Sequence, residues 1–373
     1  MLKSLVPKLI CPTCQRTDAT LEVYEFDEGI EGHIRNGIVR CDGCDAISPI
    51  EDDLLELVAP ALLDIEETRR FSNRFQKQLS ELGFSFIPGS SNSETNIASQ
   101  IKQRAHFDWY ADNQDQSYFD YAQTPFWTAV DQLTFQRWQA KLNPESWLLD
   151  VGCANGRASF QLINSRKTTV IGFDISKKLV RQAIERSRSE GTHASTTFLV
   201  GDGHNLPFAK ESFDYAITYG VLHHLPDPGR STRRIIEILK PGGFFFGSEN
   251  NLTMLRGLFD WMMKVMPLWT EEAGTEPLIS HGMLRDWTSD LQVILTDRSI
   301  VYLPPHLFNF LGNRVAKSLM AFTDAAARGL PFLRNLGGLI VFEIHKKLVV
   351  PIASNPQTAK VTGFPSMQEF KLN

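Results

Sequence analysis

The stretch Leu149–Gly156, reading LDVGCANG, constrains the fold more than any other part of this chain. An apolar strand runs into a carboxylate and then into a turn of small residues, which is how a nucleotide-like ligand is seated at the end of a parallel strand. Gly152, Ala154 and Gly156 let the backbone come close to a ligand where larger side chains would block it, and the helix expected next would present free N–H groups. Asp150 adds a negative charge that a pyrophosphate cradle would avoid, so the expected ligand carries positive charge. At this point a plain strand-to-helix turn of some other α/β protein explains the pattern equally well.

The downstream residues narrow the choice. VIGFDIS (170–176) is an apolar strand ending in Asp174, 24 residues beyond Asp150, where an acid can take both hydroxyls of a ribose. FLVGDGHNLPF (198–208) is a strand ending in Asp202, suited to accept from an adenine amino group. FDYAITYGVLHHL (213–225) gives a fourth strand with its exit loop, and LKPGGFFFGSE (239–249) a helix stop, a turn and a fifth strand. In this order, residues from about 107 to 348 resemble a class I S-adenosylmethionine-dependent methyltransferase, and within it the ubiquinone and menaquinone biosynthesis branch. The resemblance implies an α/β fold: a Rossmann-like, seven-stranded, mostly parallel sheet with helices on both faces. It also implies that Asp150, Gly152, Ala154 and Gly156 surround the methionine part of S-adenosylmethionine and that Asp174 binds the ribose. Ile175 would lie against the adenine, Asp202 with Gly203 would bind its edge, and Tyr219 would close the site near the sulfonium. Ala154 departs from the family, which usually has Gly there.

A second strong pattern lies near the start of the chain. Cys11 and Cys14 form one Cys-x2-Cys knuckle, Cys41 and Cys44 another, and the 26 residues between them fit a β-hairpin of LEVYEF (21–26) with GIVR (37–40). Four such ligands suit one tetrahedral metal, with a disulfide pair as the competing reading. MLKSLVPKLI, ahead of Cys11, is too short for a secretory signal, which points to a reducing compartment, the cytoplasm, and to zinc. The segment is similar to the zinc-ribbon domain of the small activator proteins of tRNA and protein methyltransferases, over about 60 residues from KLICPTC to GIVRCDGCDAISPIEDDLLELV. Four thiolate ligands leave no open position, so the zinc would be structural. His33 is read as an ordinary loop histidine.

The length of 373 residues and 42% apolar content suit a two-part enzyme. The expected order is a small β-rich zinc ribbon (1–60), a helical linker and connector (61–105), a methyltransferase domain (106–348) and a C-terminal tail (349–373) with no readable pattern. Apolar positions at helical spacing in 54–86, including Leu55, Leu62, Ile65, Phe71 and Phe75, predict the linker helices, and PGSSNSETN (88–96) reads as a mobile connector. The aromatic segment 106–127 shows helix periodicity only at its end. The family likeness implies that it folds over the cofactor, with Phe107, Tyr110, Tyr118 and Phe119 as lid candidates and Tyr110 as a cofactor contact; plain packing is the competing reading.

Substrate choice is expected in insertions at about 251–280 and 304–336. NLTMLRGLFDWMMKVMPLW (251–269) offers Met, Phe and Trp with few charges, which suits a bulky apolar acceptor such as a quinone, polyketide-like molecule or lipid, entering near Tyr110, Trp261 and Met262. The same residues would equally serve as helices closing the core. In 310–336, Arg314, Lys317, Arg328 and Arg334 sit among apolar residues, the composition of a solvated helix face or of a peripheral contact with an anionic membrane. No stretch is long and apolar enough to span a bilayer. The sequence does not indicate an oligomeric state.

Methyl transfer to oxygen, nitrogen or carbon needs chiefly geometry, with a base for a hydroxyl or enol. His223 and His224, at the fourth-strand exit, are the base candidates, and Glu249 is a weaker one. Two other functions stand beside this one. A zinc-ribbon rRNA or tRNA methyltransferase is disfavoured by a net charge of −5 and by twelve acids against five Lys and Arg in residues 1–60. A noncatalytic scaffold or activator has no physical need for Asp150, Asp174 and Asp202 together.

Overall fold

A computed structural model gives the structure of the protein and describes residues 1–27, 32–84, 97–113, 123–163, 168–254, 256–268, 278–330, 333 and 335–348. Tyr118, Phe119, Trp269, Arg334, the connector 88–96 and the tail from 349 lie outside them.

Among the described residues, eleven strands form one sheet. They are β1 (Leu21–Glu25), β2 (Gly37–Cys41), β3 (Ile47–Glu51), β4 (Leu54–Glu56), β5 (Trp147–Val151), β6 (Thr169–Asp174), β7 (Thr196–Val200), β8 (Phe213–Tyr219), β9 (Leu239–Asn250), β10 (Val293–Ile300) and β11 (Leu339–Lys346). Their spatial order is β1-β2-β3-β4-β7-β6-β5-β8-β9-β11-β10. From β7 to β9 the pairing is parallel, and β11 inserts antiparallel beside β9. WLLDV, TVIGFD and TTFLV are short apolar runs rather than alternating ones because both faces of these parallel strands are covered. This is the expected seven-stranded α/β frame.

The ribbon does not stand apart from that frame. β1 pairs with β2 as the sequence predicts, and β2, β3 and β4 continue antiparallel. β4 then runs parallel to β7, with Leu55 opposite Leu199 and Glu56 opposite Val200. Leu5, Leu9, Ile50 and Leu55 share one apolar core with Leu149, Phe173 and Phe208. The helical spacing that took in Leu55 is therefore corrected: this residue lies on a strand. An apolar run as short as LLELV fits either period, and the open edge of β7 decides between them.

Helices cover both faces and the ends: α1 (Ile65–Arg74), α2 (Gln76–Glu81), α3 (Ala98–Asp112), α4 (Pro125–Gln139), α5 (Arg157–Leu162), α6 (Lys177–Ser189), α7 (Pro228–Ile238), α8 (Arg256–Val265), α9 (His281–Thr288), α10 (Pro305–Asn309) and α11 (Asn313–Arg328). Their starts follow local chemistry: Asp227 accepts from the Arg230 N–H at 2.9 Å ahead of Pro228 in the first turn of α7. Helix α3 corrects the reading of 106–112 as aperiodic. It buries only Gln100, Tyr110 and Ala111, so no apolar stripe announces it. Helix α11 packs Ala316 and Met320 into the second core beside α4 and leaves Arg314 and Arg328 exposed. No helix among the described residues is long and apolar enough to cross a membrane.

Candidate functional site

The turn after β5 is shaped by its small residues. Gly152 has φ +71°, and a Cβ there would lie 2.4 Å from the Val221 side chain. Gly156 has φ +85°, with the Phe160 ring 2.5 Å from a Cβ at that position. Only glycine suits both points. Ala154 takes the left-handed conformation at φ 46°, so the family's missing glycine is met by the same backbone shape. Its N–H donates to Asp174 Oδ2 at 2.8 Å, and Asp174 Oδ1 accepts from the Ser176 N–H at 2.8 Å. Asp174 thus joins the loops after β5 and β6.

These loops wall one cavity of about 540 Å³. Gly152, Ala154, Asp174, Ile175, Asp202, Gly203 and Tyr219 line it, as do His223, His224 and Tyr110. The C-terminal ends of β5, β6, β7 and β8 thereby bring together most of the residues that the sequence singles out. Asp150 and Gly156 stand behind the wall. Asp150 Oδ2 accepts from Ser159 Oγ at 2.6 Å, and complete burial pushes its carboxyl up to about 7; the hydroxyl opposes this and the nearby Asp174 charge adds to it. Burial also raises Asp174, against the two N–H groups that it accepts from. Asp202 is held by the His204 N–H at 2.9 Å and Asn205 Nδ2 at 3.2 Å.

The Asp150 shift sets a pH dependence. Between about pH 4, where an unfolded aspartate ionises, and about pH 7, the folded state binds more protons than the unfolded one. This contribution to stability is therefore present at low pH and lost as pH rises through that window, by up to about 1.4 kcal/mol per pH unit. In denaturant unfolding series, Asp150→Asn is expected to flatten this dependence relative to wild type; equal slopes would show that Asp150 titrates normally.

Sequence reasoning missed Arg157. It follows the turn directly and lines the cavity, its guanidinium 5.3 Å from the Trp127 ring centre and 5.6 Å from that of Tyr219. Asp131 on α4 takes it at 2.8 Å and also accepts from Tyr219 Oη at 2.6 Å. Burial raises the Asp131 carboxyl while Arg157 opposes the shift. No local pattern links residues 131, 157 and 219; the fold alone brings them together.

At the fourth-strand exit, His223 Nδ1 lies 2.7 Å from Glu249 Oε2, and both groups are buried. Glu249 Oε1 accepts from the N–H groups of Val221 and Leu222 at 3.0 and 2.9 Å. Both His223 and Glu249 reach the cavity, so the base candidate and its weaker neighbour form one unit. The His224 ring packs 4.1 Å from His223 and edge-on to Phe107 at 5.2 Å.

Phe259 and Met263 of α8 line the same cavity, with Trp127 and Val301. Trp261 and Met262, the expected entry residues, do not; Trp261 is 60% exposed. Helix α8 lines the cavity, but turned about its axis so that Phe259 and Met263, beside the expected positions, do so.

The four ribbon cysteines converge, their sulfurs all within 4.8 Å of one another. Cys11 to Cys44 is 3.6 Å and Cys14 to Cys41 3.7 Å, close to the edge of about 3.8 Å for a tetrahedron with 2.3 Å zinc–sulfur bonds. All four are free thiols, and their common spacing favours one shared metal over a disulfide pair. The two knuckles are alike: Gln15 and Asp45, each just past the second cysteine, have φ 50° and 59° and donate to the carbonyls of Cys11 and Cys41. His33 is not in the cluster and stacks on His193 at 4.6 Å.

A methyltransferase-domain family model matches residues 142–281. Among curated relatives, 27-O-demethylrifamycin SV methyltransferase of Amycolatopsis mediterranei is 33% identical over 96 residues, covering 26% of this chain and 35% of that protein. "Probable tRNA methyltransferase 9B" of Homo sapiens is 36% identical over 129 residues, 34% of this chain and 25% of that protein. The matches thus span about a third or less of these relatives' length. Among solved structures, one chain of a complex containing the Haloferax volcanii Trm112 methyltransferase activator has 18% identity and a TM-score of 0.44, covering 65% of this chain and 97% of that one. The strand-end cavity and the family model agree in making residues 142–281 a methyltransferase domain.

Proposed function

We propose that the protein transfers a methyl group from S-adenosylmethionine to a nucleophile of a mostly apolar small molecule (quinone, polyketide-like or lipid), with a hydroxyl oxygen the best fit among oxygen, nitrogen and carbon. The observation that carries this reading is the His223–Glu249 pair in the cavity that Phe259, Met263, Trp127 and Val301 also line. The cofactor, when bound, supplies an electrophilic methyl on a sulfonium. Asp174 is suited to its ribose, Ile175 and Asp202 with Gly203 to its adenine, and Arg157 to its carboxylate. When Nδ1 donates to Glu249, His223 is in the tautomer whose Nε2 accepts a proton, and Glu249 stabilises the imidazolium that results. Geometry does the rest, by holding the nucleophile in line with the methyl.

His223→Ala is expected to lower kcat by about 10²- to 10⁴-fold with cofactor affinity nearly unchanged. A loss of cofactor binding in titration calorimetry, with kcat retained, would assign the residue to the cofactor instead. The name of the Amycolatopsis mediterranei relative supports a small-molecule acceptor, and the acidic ribbon argues against RNA. Radiolabelled cofactor incubated with cell extract and this protein should put label into the organic-extractable fraction. Label confined to RNA or protein would favour the RNA-modifying or protein-modifying alternative, and no cofactor binding at all the scaffold.

The ribbon is proposed to hold one structural zinc through Cys11, Cys14, Cys41 and Cys44, in a reducing compartment such as the cytoplasm. The sulfur spacing supports it, and four thiolates leave no site for substrate.

A further inference from the structure

We propose that Glu56, on the ribbon-side strand β4, and Arg104 position helix α3 over the cofactor end of the cavity, so that the ribbon helps set cofactor affinity. Helix α3 turns Ser99, Gln103, Phe107 and Tyr110 toward the cavity, one residue per turn. With so little of it buried, apolar packing holds it weakly, and a helix of this length is marginal by itself. Polar ties fix its place. Arg104, on the flank of the cavity-facing row, donates to Glu56 Oε1 at 2.9 Å and to the Leu62 carbonyl. Glu56 is 3% exposed. Its other oxygen takes Lys177 Nζ at 2.7 Å, and Lys177 also reaches Glu67 of α1 at 2.5 Å. One turn beyond Arg104, Asp108 accepts from Ser176 Oγ at 2.6 Å, two residues past Asp174.

Helix α3 is thus tied on one side to the ribbon strand and on the other to the loop that carries Asp174. Removing Glu56 would leave Arg104 and Lys177 facing a buried site without their shared anion. Removing Arg104 cuts the ties of α3 to Glu56 and the Leu62 carbonyl, and its 3.8 Å pairing with Asp108, but leaves the Glu56–Lys177 pair in place, which makes it the cleaner probe.

The inference rests on the cofactor reading above and is tested on the full chain with S-adenosylhomocysteine. Arg104→Gln is expected to weaken binding about tenfold in calorimetry, the effect of one lost hydrogen bond between charged groups. Amide exchange in residues 98–112 should speed up while β5 and β7 keep their rates, and Arg104→Lys should restore part of both. In the double variant the losses of Glu56→Gln and Arg104→Gln should be less than additive, since the two residues share one contact. Unchanged affinity and exchange in Arg104→Gln, or fully additive effects, would overturn the proposal. If Glu56→Gln does not fold, Arg104→Gln alone decides. If wild type binds no S-adenosylhomocysteine, the cofactor reading fails instead, and the exchange comparison still decides whether Arg104 holds α3.

Discussion

Asp174→Ala is expected to weaken S-adenosylmethionine binding by about a hundredfold, equivalent to about 2.7 kcal/mol. The carboxylate is 8% exposed, lines the cavity, and accepts the Ala154 and Ser176 N–H groups at 2.8 Å each. Each oxygen has a second lone pair for a ribose hydroxyl, and a hydrogen bond to a charged acceptor contributes about 1.5–3 kcal/mol. Alanine removes the ligand contacts and also leaves two backbone donors of adjoining loops without their acceptor. Asn should lie between wild type and Ala, because it keeps one carbonyl acceptor. Calorimetry that finds equal affinity in all three would remove Asp174 from the cofactor site.

Cys41→Ser is expected to destabilise the whole described fold and not the ribbon alone. Structural zinc in small modules contributes about 10–16 kcal/mol of apparent binding free energy, as much as the total stability of a typical domain, about 5–15 kcal/mol. Here the loss cannot stay local, since β4 covers the edge of β7 and Leu5, Leu9 and Ile50 pack in the same core as Leu149 and Phe173. Ile10 and Ala209 also exchange backbone hydrogen bonds with Pro207 and Lys8 across the two parts. Scanning calorimetry of wild type should show one cooperative transition that moves down in the variant, with less than one equivalent of zinc retained. A second, unshifted transition would mean that the methyltransferase sheet holds without the ribbon.

The strand ends, the glycine turn and the cysteine knuckles were legible in the sequence because each is a local arrangement. An apolar run, an acid and a small-residue turn suffice to place Asp150, Asp174 and Asp202 at the ends of parallel strands, and two Cys-x2-Cys pairs suffice to suggest a common metal. Helix α3 was not legible. Its cavity face mixes Ser99, Gln103, Phe107 and Tyr110, and with few of its residues buried the usual apolar stripe is missing. For α8 the composition singled out Trp261 and Met262 and missed Phe259 and Met263, because which way a short amphipathic helix turns depends on what it packs against.

Sequence alone therefore determined the α/β class, the loops at the strand ends and the four thiols, all of which are set by residues close together in the chain. Tertiary structure decided what depends on distant residues meeting: the merger of β4 with β7, the Arg157–Asp131–Tyr219 cluster, the His223–Glu249 pair, and the Glu56 anchor of α3. Each joins groups 26 or more residues apart in the chain. Such pairs leave no periodic trace, because their geometry is fixed by strand order and by the low-dielectric surroundings that make an unpaired buried charge costly.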